Sequence, residues 1–270
     1  MKKIILMSVL SISLITNGLF AQGAYVSLNA GYGFGSSSGS LQNETSGSNS
    51  TTYENVNISL GKGLNFGGAY GYMFNKNVGA ELGLSYLIGG TTSTKDASTS
   101  LTDTYDYSAS MLRFNPSIVI AAGLDGINPY AKFGAVIGTG SFNVNKSSSE
   151  TYRSNTSVSK VTTKYNGGLA LGVTASLGAS YKINDKISLF GELALVSMSY
   201  APTKGEITAY TEDGVDRLSG LKTSQKKFDF VNTYTRNSTV TPSDSQPSQS
   251  LKSKSPFGSF GLNIGLKYNL

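Results

Sequence analysis

Apolar and polar side chains alternate residue by residue along much of the chain, most clearly in its last twelve residues, 259–270. One parity of this segment is wholly apolar and comprises Phe260, Leu262, Ile264, Leu266, Tyr268 and Leu270. The other parity carries only Ser, Gly, Asn and Lys. Because successive side chains of a β-strand point to opposite faces, the segment predicts a strand with one apolar face. A face of this kind suits lipid, and the opposite face suits the narrow interior of a transmembrane β-barrel.

The same alternation returns along the chain and predicts eight strands. They are expected at about 23–35, 57–74, 78–89, 105–122, 129–142, 164–182, 187–200 and 259–270. Short turns at 75–77, 123–128 and 184–185 alternate with four long polar segments at about 36–56, 90–104, 143–163 and 201–255. Outer-membrane barrels have short periplasmic turns and longer extracellular loops. We therefore predict an all-β fold, an eight-stranded antiparallel up-and-down transmembrane β-barrel over residues 22–270, with the four long segments outside the cell.

Two alternatives to this fold stay open at this stage. The stretches 206–211 and 227–235 have strand character, and counting them as spanning strands would give ten. That count would make 212–226 a periplasmic turn, which is too long for the pattern, so we expect an extracellular hairpin within the last loop. The other alternative is a soluble lipocalin-like barrel, which would place its apolar parity inside.

Residues 1–21 have the features of a secretory signal peptide. Lys2 and Lys3 precede an apolar run from Ile4 to Ile15, and Ala21 is a small residue before the expected cleavage site. The cleavage site stays open by a few residues, and an uncleaved N-terminal anchor is the alternative. We therefore expect an exported protein of the bacterial outer membrane.

The residue types that the chain lacks limit its chemistry. It contains no Cys, His or Trp in 270 residues. Disulfides, a reactive thiolate, an imidazole base and imidazole metal ligands are therefore excluded. A mechanism based on carboxylates alone remains open, but we expect neither enzymatic activity nor a cofactor or metal.

Four charged residues have the parity of the interior: Glu81, Arg113, Lys132 and Glu192. An eight-stranded barrel is so narrow that side chains fill it, and charges there need partners or water. Glu81 and Lys132 each lie four residues from a short turn, so we predict that they belong to one ionic network in the lumen. In this network Arg113 would pair with whichever carboxylate Lys132 leaves free. It could be an ionic gate or a structural polar plug. The strand with Glu192 is the least regular, since Phe190, Val196 and Met198 share that residue's face.

The other face carries the residues that are expected to meet lipid. Leu60 has the outward parity, and Tyr86 and Tyr200 are expected in an outer aromatic girdle. Five lysines of the last polar segment could contact lipopolysaccharide phosphates: Lys222, Lys226, Lys227, Lys252 and Lys254. An ordinary solvated loop of mixed charge is the alternative. Nucleic-acid binding is not expected, because the positive charge is dispersed and the chain is exported.

The signal segment, the eight alternating strands, the three short turns and the four polar segments together resemble the OmpA/OmpX-like small outer-membrane β-barrels of the porin family. The resemblance implies assembly by the outer-membrane insertion machinery, which reads the last strand. Leu270 departs from the aromatic last residue that is usual there. We expect a monomer in contact with outer-membrane lipid and lipopolysaccharide. Its expected role is structural or surface interaction through the extracellular loops, with a narrow porin or a passage for small hydrophobic solutes as the alternative.

Overall fold

The computed structural model describes residues 23–36, 39–47, 50–235 and 243–270, so the predicted signal peptide lies outside the described residues. The regular secondary structure of the described part is almost entirely β-strand. Its seventeen strands are β1 (Ala24–Gly35), β2 (Gly39–Ser46), β3 (Thr51–Ile58), β4 (Gly63–Met73), β5 (Val78–Gly89), β6 (Thr92–Ala97), β7 (Leu101–Ala121), β8 (Ile127–Tyr152), β9 (Asn155–Asn166), β10 (Ala170–Lys182), β11 (Ile187–Tyr200), β12 (Lys204–Glu212), β13 (Val215–Asp216), β14 (Lys227–Val231), β15 (Ser248–Leu251), β16 (Ser255–Pro256) and β17 (Ser259–Asn269). A 3-10 turn at Leu218–Gly220 and one helical turn at Thr223–Lys226 complete it. Within these residues, no helix is both long enough and apolar enough to cross a membrane.

Eight of these strands form a closed ring by antiparallel pairing. Their order around the ring is β1, β4, β5, β7, β8, β10, β11 and β17, and β17 pairs again with β1. The closing pair runs in unbroken register from Tyr25 opposite Asn269 to Gly35 opposite Ser259. The ring strands follow each other in sequence, as the alternation predicts. The described part of the chain nevertheless has seventeen strands rather than eight.

The nine further strands correct the prediction of four long loops. The polar segment 36–56 forms a β2–β3 hairpin, and 90–104 holds β6 and the start of β7. The segment 143–163 continues β8 and enters β9, while 201–255 carries β12 to β15. Their many Ser and Thr residues carry no apolar alternation, but Thr, Val and Tyr are compatible with a strand once a neighbour pairs with it.

We use the name outer sheet for β6, β9, β12, β14 and β15 together with the ends of β7 and β8 beyond the ring. β7 and β8 are 21 and 26 residues long, and they pair with each other as far as Leu101 opposite Glu150. β12 lies between β9 and β14, so neither 206–211 nor 227–235 is a ring strand. Of the first stretch only Glu206 pairs with the second, opposite Lys227, because the rest of that stretch pairs with β9 and with β13.

The three short turns lie at the opposite end of the ring and confirm the predicted positions. In the first, Asn75 Oδ1 accepts hydrogen bonds from the backbone N–H groups of Asn77 and Val78, both at 2.8 Å. Asn184 Oδ1 does the same for Lys186 and Ile187, at 2.9 and 2.8 Å. An Asn side chain that closes the turn in this way explains why Asn begins both.

The two faces of the ring differ as the alternation predicts. On the predicted outward parity, Leu28 is 73% exposed, whereas its neighbour Ser27 on the inward parity is 5% exposed. The apolar core of the described residues therefore does not lie on the outward face. It lies inside the ring, at the end from which the outer sheet continues.

We call this core the apolar plug. It consists of Leu60, Leu87, Ala109, Met111, Val136, Phe142, Ala170, Val196, Met198, Tyr200 and Phe257. Two of these residues correct the predicted orientation. Leu60 is buried because the chain leaves strand geometry at 59–62, between β3 and β4, and this break resets the parity. Tyr200 is buried rather than part of an outer girdle, because it has the inward parity of Glu192 on β11.

Candidate functional site inside the strand ring

An ionic cluster crosses the interior of the ring, with one lysine between two carboxylates. Lys132 Nζ on β8 lies 2.9 Å from Glu81 Oε1 on β5 and 3.2 Å from Glu192 Oε2 on β11. The three side chains are only 14%, 9% and 8% exposed, respectively. Three non-adjacent strands supply the cluster, so the closure of the ring brings it together. Ions this well removed from water persist only when they are paired and hydrogen-bonded.

Uncharged side chains also donate hydrogen bonds to the two carboxylates, Glu81 and Glu192. The Tyr25 hydroxyl donates to Glu81 Oε2 at 2.8 Å, and the Tyr130 hydroxyl donates to Glu192 Oε2 at 3.1 Å. Asn263 Nδ2 donates to Glu192 Oε1 at 3.2 Å. Each carboxylate thus receives the lysine and at least one uncharged donor. Sequence reasoning missed both tyrosines, although their inward parity was a signal that could have found them.

Two aromatic faces and a further lysine lie beside this cluster. Lys132 Nζ is 5.2 Å from the ring centre of Tyr130 and 5.5 Å from that of Phe190. Lys267 Nζ lies 3.8 Å from the ring centre of Tyr25, a distance typical of a cation–π contact. Among the described residues, no carboxylate lies within ion-pair distance of Lys267. Lys267 therefore adds an inward charge to the four that the prediction named.

Arg113 does not join the ionic cluster, which corrects the predicted pairing with an acid. Its Nη2 donates to Asn65 Oδ1 at 2.9 Å, and no ion pair of Arg113 occurs in the described part of the chain. On β5 the residue opposite Arg113 is Ser85, four positions from Glu81. At about 3.3 Å per residue this offset is roughly 13 Å along the strand. The sequence already contained this offset, because Arg113 lies ten residues before the turn at 123–128, whereas Glu81 lies four residues after the turn at 75–77.

The cluster separates two cavities, and Glu81 and Lys132 line both. The cavity toward the outer sheet has a volume of about 90 Å³ and is lined by Arg113, by asparagines and by serines. The cavity toward the short turns has a volume of about 480 Å³, and residues of those turns, such as Lys76 and Asp125, lie at its rim. Polar space in the ring is thus divided at the level of Lys132.

The apolar plug closes the smaller cavity on its other side. Tyr200 and Phe257 are both fully buried there, with their ring centres 5.6 Å apart in an edge-to-face contact. The Tyr200 hydroxyl donates to the carbonyl oxygens of Gly140 and Gly167, at 2.9 and 2.6 Å, so its polar atom is satisfied. The Phe257 N–H donates to the Met198 carbonyl at 2.9 Å, which holds the segment before β17 against β11. The irregular face of the strand with Glu192 therefore belongs to this plug.

The outer sheet has an ion pair of its own between β7 and β8. Lys146 Nζ lies 2.8 Å from Asp103 Oδ2. Partial burial disfavours the charged form of Asp103, but hydrogen bonds from Lys146 and Ser148 outweigh it and lower the pKa of that carboxyl. The hydrogen bond to Asp103 is also the main reason why the pKa of Lys146 is raised. The pair therefore favours its charged form around neutral pH.

The five lysines predicted to meet lipopolysaccharide divide into two groups. Lys222 pairs with Asp244 at 2.6 Å, and Lys227 lies 3.9 Å from Glu206. Lys226, Lys252 and Lys254 have no ion pair with any described residue. In the described part of the chain there is also no group of three or more His, Cys, Asp or Glu side chains that could hold a metal ion.

Comparisons with known proteins concern the chain as a whole. Residues 5–224 match the model of a protein family described as the outer membrane protein beta-barrel domain. No curated protein matches the chain. Among solved structures, the chain is similar to Neisserial surface protein A (NspA), with 11% identity and a TM-score of 0.39 over 93% of this chain and 100% of that one. CarO2 of Acinetobacter baumannii is 15% identical, with a TM-score of 0.36 over 92% and 100%. The attachment invasion locus protein Ail of Yersinia pestis is 10% identical, with a TM-score of 0.30 over 92% and 99%.

Proposed function

The chain belongs to the outer membrane protein beta-barrel domain family, and from this membership we propose that it is a surface-interaction protein of the bacterial outer membrane. In this proposal the ring of eight strands is the barrel wall that crosses the bilayer. The outer sheet is then the part that meets molecules outside the cell.

The dimensions and the outer face of the ring support this assignment. A membrane-spanning β-strand needs about 9–11 residues, and the shortest ring strands, β4 and β17, have 11. The side chains that face away from the interior are apolar, and Leu171, Leu262 and Ile264 are each more than half exposed. Tyrosines such as Tyr72 and Tyr268 lie near the short turns, where an aromatic girdle would meet the membrane interface.

The observation that carries the functional choice is the apolar plug. It fills the ring with closely packed side chains at the end where a solute from outside would enter. The ionic cluster around Lys132 forms a second barrier nearer the short turns. A polar solute would have to cross an apolar layer and then part a buried ion cluster, so we favour a surface role over a narrow pore.

The outer sheet offers the area for such a role. β7 and β8 continue beyond the ring as a pair. β9 pairs with β8, and β12 pairs with β9, so the sheet becomes wider there. Its tip, the β8–β9 turn at Arg153 and Ser154, is exposed. Catalysis is not part of the proposal, because the chain lacks His and Cys.

The unpaired lysines support a contact with lipopolysaccharide near the rim of the ring. Lys254 immediately precedes β16, which pairs with the last residues of β11 at the outer end of the ring. Lys252 and Lys254 are both exposed, and their ammonium groups can reach outer-leaflet phosphates. The proposal also includes removal of residues 1–21 on export, assembly by the outer-membrane insertion machinery and a monomeric barrel.

Single-channel recording separates the surface role from the pore. The refolded wild-type protein in a planar bilayer should show no discrete conductance steps. The matched variant Tyr200→Ala removes an aromatic ring from the plug and should conduct more than the matched surface variant Tyr152→Ala. Regular conductance steps in the wild-type protein would refute the surface role and support the narrow pore.

The orientation can be tested separately, because the chain has no Cys. A single cysteine at Ser154, in the tip of the outer sheet, should react with a membrane-impermeant maleimide on intact cells. A single cysteine at Asp125, in a short turn, should react only after lysis. The reverse labelling pattern would place the outer sheet in the periplasm and refute the proposal.

A further inference from the structure

The side chain of Arg113 carries a positive charge that the protein itself does not neutralise. The residue is 4% exposed, and its guanidinium makes one hydrogen bond, from Nη2 to the neutral amide of Asn65. Its Nε has no hydrogen-bond partner among the described residues. A buried ion without an opposite charge is strongly destabilising, so a guanidinium in this position calls for a counter-ion.

No carboxylate of this chain is available for that purpose. The two acids inside the ring, Glu81 and Glu192, both contact Lys132 and each also accepts a hydrogen bond from a tyrosine. The segments outside the described residues, 1–22, 37–38, 48–49 and 236–242, contain no Asp or Glu. Arg113 therefore cannot obtain a partner from them.

The charge balance of the interior indicates the sign and the size of what is needed. Arg113, Lys132 and Lys267 contribute three positive charges, and Glu81 and Glu192 contribute two negative charges. Lys182 at the end of β10 is paired with Asp185, so the remaining balance is 3 − 2 = +1. One monovalent anion would make it neutral. Lys267 lies toward the larger cavity at the short turns, whereas Arg113 lines the smaller and more enclosed one, where solvent compensates less.

The cavity beside Arg113 also has the other donors that an anion requires. The carboxamides of Asn29 and Asn115 line it, and their Oδ1 atoms have no hydrogen-bond partner among the described residues. These oxygen atoms have almost no accessible surface, so the NH₂ group of each amide is the part that can face the cavity and donate to an anion. The volume of about 90 Å³ is several times the roughly 10–15 Å³ that one water needs. It accepts a small ion with some water and excludes bulky organic anions.

We propose that the cavity between the ionic cluster and the apolar plug binds one monovalent anion of the size of chloride, held by Arg113 and by the amides of Asn29 and Asn115. The anion neutralises the buried guanidinium and becomes part of the folded interior. The plug lies on one side of this cavity and the ionic cluster on the other. This site is independent of the role proposed for the outer sheet.

The test uses bromide as the probe, because its anomalous scattering distinguishes it from water. Crystals of the refolded protein grown in sodium bromide should show an anomalous peak within hydrogen-bond distance of the Arg113 guanidinium. In parallel, the urea midpoint of the protein in detergent micelles is measured in sodium chloride and in sodium gluconate at equal ionic strength. Gluconate is too large for the cavity, so the midpoint should be higher in chloride.

Two arginine variants show whether the effect comes from this cavity. Arg113→Gln removes the buried charge and should abolish the difference between chloride and gluconate. Arg153→Gln removes the same charge from the exposed tip of the outer sheet and should keep the difference. If Arg113→Gln does not refold, the bromide peak and the two midpoints of the wild-type protein still decide the question.

Three results would overturn the proposal. The first is density beside Arg113 that has no anomalous signal, together with equal midpoints in the two salts, because water alone would then occupy the cavity. The second is a bromide peak beside Arg113 without any change in the midpoint, which would mark an ion taken up only at crystal concentrations. The third is a bromide peak at Lys267 instead of Arg113, which would place the counter-ion in the larger cavity at the short turns.

Discussion

Replacement of Lys132 by Met tests whether the ionic cluster is a unit with one cation and two dependent carboxylates. Lys132 Nζ is the only cation within 4 Å of Glu81 or Glu192 among the described residues. In the variant, both carboxylates keep only neutral donors, namely Tyr25 for one acid and Tyr130 with Asn263 for the other. The structure therefore predicts that the loss of this lysine costs more than the loss of either acid.

The magnitude follows from the burial of the three groups. Because none of the side chains is more than 14% exposed, removal of the lysine should lower the free energy of unfolding by about 3–5 kcal/mol. Glu81→Gln alone leaves the Lys132–Glu192 pair in place, so its cost should be smaller. The double variant Lys132→Met/Glu81→Gln should recover only part of the loss, since Glu192 stays charged and alone. The triple variant that adds Glu192→Gln leaves no buried charge in the cluster, and it should return to within about 1 kcal/mol of the wild type.

The assay is a reversible urea titration in detergent micelles or lipid vesicles. The chain has no Trp, so the folded fraction is followed by circular dichroism and by the mobility of unheated samples on gels. Double-mutant cycles of Lys132→Met with Glu81→Gln and with Glu192→Gln give the two coupling energies, each expected above about 1 kcal/mol. The exposed pair Lys182–Asp185, at a similar N–O distance of 2.7 Å, is the control and should show no measurable coupling.

The reasoning would be refuted by coupling below about 0.5 kcal/mol in both cycles. Such a result would mean that water screens the three groups or that they lie apart in solution. A triple variant that is as unstable as Lys132→Met would be equally damaging, because packing rather than charge would then explain the loss.

Three further predictions follow from the faces of the ring, the plug and the outer sheet. Leu171→Arg places a charge on the lipid face and should lower the free energy of unfolding by about 2–4 kcal/mol if the residue lies near the bilayer midplane. Thr174→Ser on the inward face should lower it little in the same refolding titration. Equal losses for the two variants would mean that the two faces are assigned wrongly. Phe257→Ala removes a fully buried ring and should cost about 3–5 kcal/mol, measured in the same titration, and a neutral result would mean that the plug is loosely packed. The pair Asp103–Lys146 should protect the amides of the outer sheet in hydrogen exchange. Because the pKa of Asp103 is lowered, the stabilisation by the pair is present above the ordinary Asp pKa of about 3.9 and is lost as the pH falls through the lowered value. Because the pKa of Lys146 is raised, the stabilisation is also lost as the pH rises above the ordinary Lys pKa of about 10.4. Asp103→Asn should match the wild type in strong acid and be less protected at neutral pH, and equal protection at both would exclude a role for the pair.

The sequence by itself determined the wall of the ring. Strict alternation in β1, β5, β10 and β17 separates the exposed apolar face from the inner face, because side chains on a strand have a period of two and a register shift would reverse them. Asn75 and Asn184 marked two of the short turns through local hydrogen bonds that need no tertiary partner. The alternation also placed Glu81, Lys132 and Glu192 on the inner face, but it could not give the distances between their side chains.

Only the tertiary structure decided where the wall ends and what its interior contains. The alternation is lost in the Ser- and Thr-rich segments, where both faces are polar, so strands such as β9 form through pairing with β8 and β12 rather than through a pattern of their own. The break at 59–62 resets the parity and turns Leu60 inward, against a residue as distant in sequence as Phe257. Arg113 and Glu81 share a face, yet Ser85 rather than Glu81 lies opposite Arg113. Tyr25 reaches Glu81 across Gly71, the residue of β4 that lies opposite both. Contacts across a barrel depend on closure and shear, which are properties of all eight ring strands together and cannot be read from any one of them.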